Sequence, residues 1–169
     1  ESIKRIYASV FFKEPKSLMD SISQRYEEEK MAIIIMELIG KNNDNIFYPT
    51  ISGVCQSYNY YPVSHMDRKD GITFLALGLG KTIADGGKSL RYCPKYPNII
   101  SQNYSTKASI NNSQNKFYAL KLNNGINPMK KGEENNLQIF DLEVAENHNE
   151  LRFIASVISN QDNIKRESL

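Results

Sequence analysis

The sequence predicts an α+β fold in which two N-terminal helices are followed by a mainly antiparallel β-sheet with hairpins. Three observations predict it. Apolar residues recur at helical spacing at the start of the chain; short runs rich in β-branched residues, punctuated by Gly, Asn and Asp, follow; and apolar and polar residues alternate near the C-terminus. A length of 169 residues suffices for one hydrophobic core, and the chain reads as a single partial domain spanning residues 1–169.

The elements follow in order. Ile6, Val10 and Phe11 share one helical face, and Leu18, Ile22 and Tyr26 share another. Pro15 suits a first helical turn, where its missing N–H would have had no partner. The triplet Glu27-Glu28-Glu29 reads as a solvated helix end. Residues 31–39 (MAIIIMELI) are too few for the roughly 20 needed to cross a bilayer. Their β-branched content predicts a central strand buried on both faces. A turn over 40–45 leads, as a hairpin, into a second strand within 48–60 that contains Ser52-Gly53-Val54. After a polar loop, residues 71–77 form a third strand that runs into Gly78-Leu79-Gly80-Lys81-Thr82.

Further on, Gly86-Gly87-Lys88-Ser89 marks a turn, and Pro94 and Pro97 force their predecessors toward extended geometry. The polar, Asn- and Ser-rich span 98–115 predicts a long surface loop. Residues 116–159 form a β-rich lobe: a strand over 116–122, then a hairpin of 137–145 and 151–159 around the turn at 147–150.

Several function classes are excluded on composition. With 21 basic and 19 acidic residues the chain generates no strong field, which argues against nucleic acid as a partner. Tyr58, Tyr60 and Tyr61 have Arg68 as their nearest basic residue and read as half-buried packing rather than a base-stacking platform. Cys55 and Cys93 stand apart, without the pairing that zinc or redox motifs use, and read as reduced packing residues. His65 and His148 lie in predicted loops with no ligand-spaced neighbours and read as exposed. No apolar run long enough to cross a membrane and no signal-peptide pattern occurs, so no membrane partner is expected and the cytoplasm is the expected compartment. The spacing Gly-x-Ser-x-Gly is absent, which argues against hydrolase chemistry. A P-loop is excluded by spacing: Leu75 stands where the glycine before Gly80-Lys81-Thr82 is required, and Thr82 stands where Gly87-Lys88-Ser89 requires one. What remains is a glycine-rich strand exit of the kind that approaches a ligand.

Four blocks in order, MAIIIMELIG ending at Gly40, FYPTISGV ending at Val54, ALGLGKT ending at Thr82 and DGGK ending at Lys88, resemble consecutive blocks of a known family. It is the N-terminal pyruvate/phosphoenolpyruvate-binding, ATP-grasp domain of phosphoenolpyruvate synthases and pyruvate phosphate dikinases, and the resemblance is strongest over 6–97. It implies an ATP site in which a linker at the end of the apolar strand, here Met36, Glu37 and Leu38, reads the adenine edge through its backbone. Ser52 and Gly53, with Gly78 and Gly80, would line the floor beneath the nucleotide. Lys81 would reach a phosphate, with Thr82 beside it. Many members carry glutamine where Met36 stands and glutamate where Lys81 stands, so the charge at the glycine turn is reversed here.

The resemblance further implies a parent phosphotransferase that uses ATP and Mg²⁺ to phosphorylate a carrier histidine and then pyruvate. In such a parent the remainder of the polypeptide, a first ATP-grasp lobe and a phosphohistidine domain, is the chain's partner. No catalytic and no metal-binding residue is assigned within these 169 residues, and the fragment alone is expected to be inactive, because phosphoryl transfer needs metal, phosphates and acceptor positioned together. The alternative is a non-catalytic regulatory or scaffold module on a degenerate ATP-grasp fold.

Overall fold

The computed structural model describes residues 2–22, 30–122, 125, 135–158 and 164–165. The chain divides into two units, the first running to Leu38 and the second beginning at Ile39. In the first unit α1 (Ser2–Ser9) and α2 (Lys13–Ile22) are the two expected helices. Phe11 N donates to Ala8 O and Phe12 N to Ser9 O, both at 3.1 Å, which tightens the chain between them. Pro15 lies in the first turn of α2 beside Glu14, whose charge suits the positive end of the helix dipole. Tyr26 and the triplet Glu27-Glu28-Glu29 lie outside the described residues.

Residues 31–39 correct the sequence reading: they form no strand. The run is open to solvent, with Ile34 and Met36 each 82% exposed. Strand propensity describes fitness for a pleated, half-buried surface, and no strand among the described residues offers this run a ladder to join.

The second unit opens with a different hairpin. Strands β1 (Lys41–Asn43) and β2 (Ile46–Tyr48) pair antiparallel across Asp44 and Asn45, whose φ values of 48° and 68° make the left-handed two-residue turn that matches strand twist. β3 (Ser52–Gln56) pairs instead with β4 (Ile72–Ala76), and β4 with β5 (Leu90–Tyr92), in a three-stranded antiparallel sheet. β6 (Lys116–Lys121) and β7 (Leu137–Asp141) complete a four-stranded sheet in the order β1-β2-β6-β7. The short pair β8 (Val157–Ile158) and β9 (Ile164–Lys165) forms a third sheet. All pairings among the described residues are antiparallel, in line with the mainly antiparallel sheet expected.

Two further expectations are corrected. The span 98–115 is no bare loop, for it holds α4 (Thr106–Asn112). Ser105 caps α4 by accepting a bond from Ala108 N at 3.1 Å, and Ala108 and Ser109 are buried. Nor do 137–145 and 151–159 pair as a hairpin. The chain turns from β7 into α5 (Leu142–Asn147), which brings Leu142 and Ala145, one helical turn apart, onto the core. The turn signal after it is real but ends a helix. Asn149 takes φ 59°, Asn149 N donates to Glu146 O at 2.8 Å and Glu150 N to Ala145 O at 2.9 Å, the paired bonds of a Schellman cap.

The core of this unit gathers Tyr48, Leu77, Phe117, Ala119 and Ala145, with the Tyr48 and Phe117 rings 4.8 Å apart. Phe117 and Ala119 are the inward residues of β6, two apart as the pleat demands. Leu77, the first residue after β4, is buried among them, so the core fixes the point from which the glycine-rich bend departs.

Candidate functional site

The bend Gly78-Leu79-Gly80 leaves β4 and opens the one-turn helix α3 (Lys81–Ala84). It is stitched down on both sides. Gly78 N donates to Pro49 O at 3.2 Å and Leu79 N to Tyr118 O at 2.8 Å. The side-chain amide of Gln114 grips Leu77 like a neighbouring strand: its Oε1 accepts from Leu77 N at 2.8 Å, and its Nε2 donates to Leu77 O at 3.0 Å. Gly78 has φ 81°, and a Cβ there would lie 2.7 Å from Tyr118 O, so the bend requires glycine.

The glycines differ in what faces them. At Gly53 an added Cβ would fall 2.6 Å from the Leu75 side chain, so this missing side chain serves the close approach of β3 to β4. Gly78 is likewise packed by protein atoms. At Gly80 nothing lies within 4 Å, and this is the point of the bend open to a ligand. Ser52 stands opposite Ala76, and its hydroxyl donates to Ala76 O at 3.4 Å, which sets the Ser52-Gly53 block alongside the strand that ends in the bend.

Lys81 is engaged within the protein. Its Nζ pairs with Asp85 Oδ2 at 2.5 Å and sits 5.0 Å from the centroid of the Tyr118 ring, and Tyr118 Oη donates to the same Asp85 oxygen at 3.5 Å. Thr82 is 6% exposed, and its Oγ1 has no hydrogen-bond partner among the described residues. The structure therefore brings Ser52, Gly53, Gly78, Gly80, Lys81 and Thr82 onto one stretch of the second unit. Met36, Glu37 and Leu38 belong to the first unit, in a run without regular secondary structure where Leu38 is 51% exposed.

A family model of the pyruvate phosphate dikinase AMP/ATP-binding domain matches residues 1–161. The chain belongs to that family. No curated protein and no solved structure matches the chain. The match bears out the resemblance seen in the four sequence blocks and reaches beyond the span 6–97 where that resemblance is strongest. No helix among the described residues of this AMP/ATP-binding domain is long and apolar enough to cross a membrane.

Magnesium does not fit the bend as it stands. The described residues contain no group of three or more His, Cys, Asp or Glu able to hold a metal ion, and Asp85, the carboxylate of the bend, is paired with Lys81.

Sequence reasoning missed a polar cluster that ties the β1–β2 hairpin to the end of α5. Glu150, 7% exposed, accepts from Lys41 Nζ at 2.9 Å and from the Thr50 hydroxyl. The Thr50 hydrogen bond, reinforced by Lys41, holds its carboxyl below the usual range against the opposing effect of burial. Burial, with the Glu150 charge nearby, pushes the Tyr48 hydroxyl up to about 12. That hydroxyl meets His148 Nδ1 at 2.8 Å, so His148 is a packed residue with a side chain 9% exposed, not the exposed loop histidine expected. His65 is exposed as expected, beside the Tyr96 ring at 4.7 Å. Cys93 is buried, whereas Cys55 is exposed, contrary to the packing role read from sequence. Tyr60 and Tyr61 are 69% and 88% exposed, more open than the half-buried packing expected.

Proposed function

We propose that this chain is the nucleotide-binding part of a phosphoenolpyruvate synthase or pyruvate phosphate dikinase-like phosphotransferase of the ATP-grasp type. The observation that carries the reading is the stitched bend at Gly78-Leu79-Gly80, open at Gly80 and followed by a lysine, in a chain of the AMP/ATP-binding family. Backbone groups of Met36, Glu37 and Leu38 read the adenine edge; Ser52, Gly53, Gly78 and Gly80 form the floor; Lys81 and Thr82 serve the phosphates. In the parent, ATP with Mg²⁺ phosphorylates a carrier histidine and then pyruvate, in the cytoplasm, with the metal ligands and the histidine supplied by other parts of the same polypeptide. Residues 1–169 act as one partial domain without turnover of their own.

Calorimetric titration with ATP tests this. Wild type, titrated as the longer polypeptide that includes the flanking lobe and metal-binding parts, is expected to bind, and Leu38→Pro in that polypeptide, which removes a backbone donor, is expected to abolish binding. Binding that survives L38P removes the adenine linker from 36–38, and no binding to wild type at millimolar ATP removes the nucleotide reading.

A second reading, a regulatory or scaffold module without catalysis, is favoured by one observation. Lys81 is already paired with Asp85 and stacked on Tyr118, in place of the glutamate that many family members carry.

A further inference from the structure

An open cleft, of ≈ 620 Å³, lies on one face of the β3-β4-β5 sheet, against α3 and the Gly86-Gly87-Lys88-Ser89 turn. Its floor follows from strand register. Val54 stands opposite Phe74 and Phe74 opposite Arg91, so the three lie in one row across the sheet on the same face. Lys88 lines the cleft as well.

The rim is scaffolded by amides that bond main chain and leave the cations unused. Gln102 Oε1 accepts from Arg91 N at 2.7 Å, Gln102 Nε2 donates to Ser89 O at 3.1 Å, and Asn112 Nδ2 donates to Gln102 O at 3.0 Å. The two Gln102 bonds fix the backbone on both sides of Leu90. Neither Lys88 nor Arg91 has a side-chain ion pair or hydrogen bond among the described residues, and no acidic residue lines the cleft. Asp85, near the same turn, is taken by Lys81. Two uncompensated cations beside an apolar aromatic floor present a positive potential over a surface suited to a flat ring.

We propose that this cleft binds a phosphate monoester that carries a flat apolar ring. Arg91, a planar fork, and Lys88, a mobile point charge, hold the dianionic phosphate, while the ring lies on Val54 and Phe74. None of these residues belongs to the nucleotide set proposed above, so the two sites stand or fall separately.

Calorimetric titration of the 169-residue chain with 1-naphthyl phosphate tests the proposal, because this probe has no adenine edge for a backbone linker to read. Wild type is expected to bind it, and 1-naphthol, which lacks the charge, at least about tenfold more weakly. The double substitution Lys88→Gln with Arg91→Gln is expected to weaken binding at least about tenfold, and the charge-preserving pair Lys88→Arg with Arg91→Lys to retain most of it. Thermal melts of both variants should match wild type, since neither side chain forms an ion pair or hydrogen bond among the described residues. Competition with AMP distinguishes the source: displacement marks a nucleotide as the ligand, and lack of it a non-nucleotide ester. Failure of wild type to bind the probe, or equal binding by the glutamine pair, overturns the proposal.

Discussion

Replacing Glu150 by Gln removes one charge while keeping shape, and the structure sets the size of the effect. The side chain is 8% exposed and accepts two hydrogen bonds, from Lys41 at 2.9 Å and from Thr50. Lys41 is 68% exposed and returns to water when its partner is neutralised, so it adds little to the loss. The remaining loss is that of charge-assisted bonds at a buried acceptor, about 2 kcal/mol, which for a domain of this size lowers the melting temperature by about 4–8 °C near neutral pH. The sign of the pH dependence is fixed by the depressed carboxyl of folded Glu150. Its contribution is fully present above the unfolded value of 4.5 and is lost as pH falls through the lower folded value. Melts of wild type and E150Q followed by circular dichroism should therefore differ near neutrality and converge in acid, with groups common to both cancelling. A constant gap at all pH values, or no gap at neutrality, refutes the assignment of Glu150 as the anchor between the hairpin and the end of α5.

Two perturbations of the bend complete the predictions. Gly78→Ala should destabilise by about 1–3 kcal/mol, since φ 81° is strained for a side chain and the new Cβ would overlap Tyr118 O, whereas Gly80→Ala, at φ −58° in open space, should change stability by less than about 0.5 kcal/mol; urea midpoints of the two variants check the contrast. Gln114→Ala strips the backbone of Leu77 of its partners and frees Lys116 O, previously bonded at 2.9 Å, so it should cost about 1–3 kcal/mol in the same assay, with faster amide exchange at Leu77.

Local chemistry was legible where it acts alone. The first-turn Pro15, the strand over Ile72–Ala76 and its exit into glycine all follow from spacing, and all are found, whereas the helical face expected of Ile6, Val10 and Phe11 is not, since α1 ends at Ser9 and Ile6 and Phe11 are exposed. Pairing was not legible. The run at 31–39 carries the strongest strand composition in the chain and forms none, because a strand is defined by its neighbour. Asn149 signalled a turn, but a left-handed residue ends a helix as well as it joins two strands, and only the burial of Ala145 decides between them. At the site, Gly78 and Lys81 were visible as a motif and Asp85 as the start of the DGGK block, while the pairing of Asp85 with Lys81 and the grip of Gln114 were not. Gln114 lies 37 residues from the backbone it grips, in a span whose composition reads as loop.

The pairing of Lys81 bears on which functional reading the bend supports. An i,i+4 ion pair with lysine first is the weaker orientation and stabilises by at most about 0.5 kcal/mol, and a partly exposed cation–π contact adds about 0.5–1 kcal/mol. Together these hold the ammonium in place by about 1–1.5 kcal/mol. A charge-assisted bond to a phosphate oxygen contributes about 1.5–3 kcal/mol and can draw the lysine away. For a lysine that served a phosphate, as proposed for Lys81, the pair with Asp85 would lower affinity about tenfold without preventing contact. Charge reversal at this position does not by itself make the chain a silent scaffold. The Lys81–Asp85 pair is net neutral, so the bend presents no fixed repulsion to an approaching nucleotide, and the choice between the two readings falls on whether backbone groups elsewhere supply the adenine contacts.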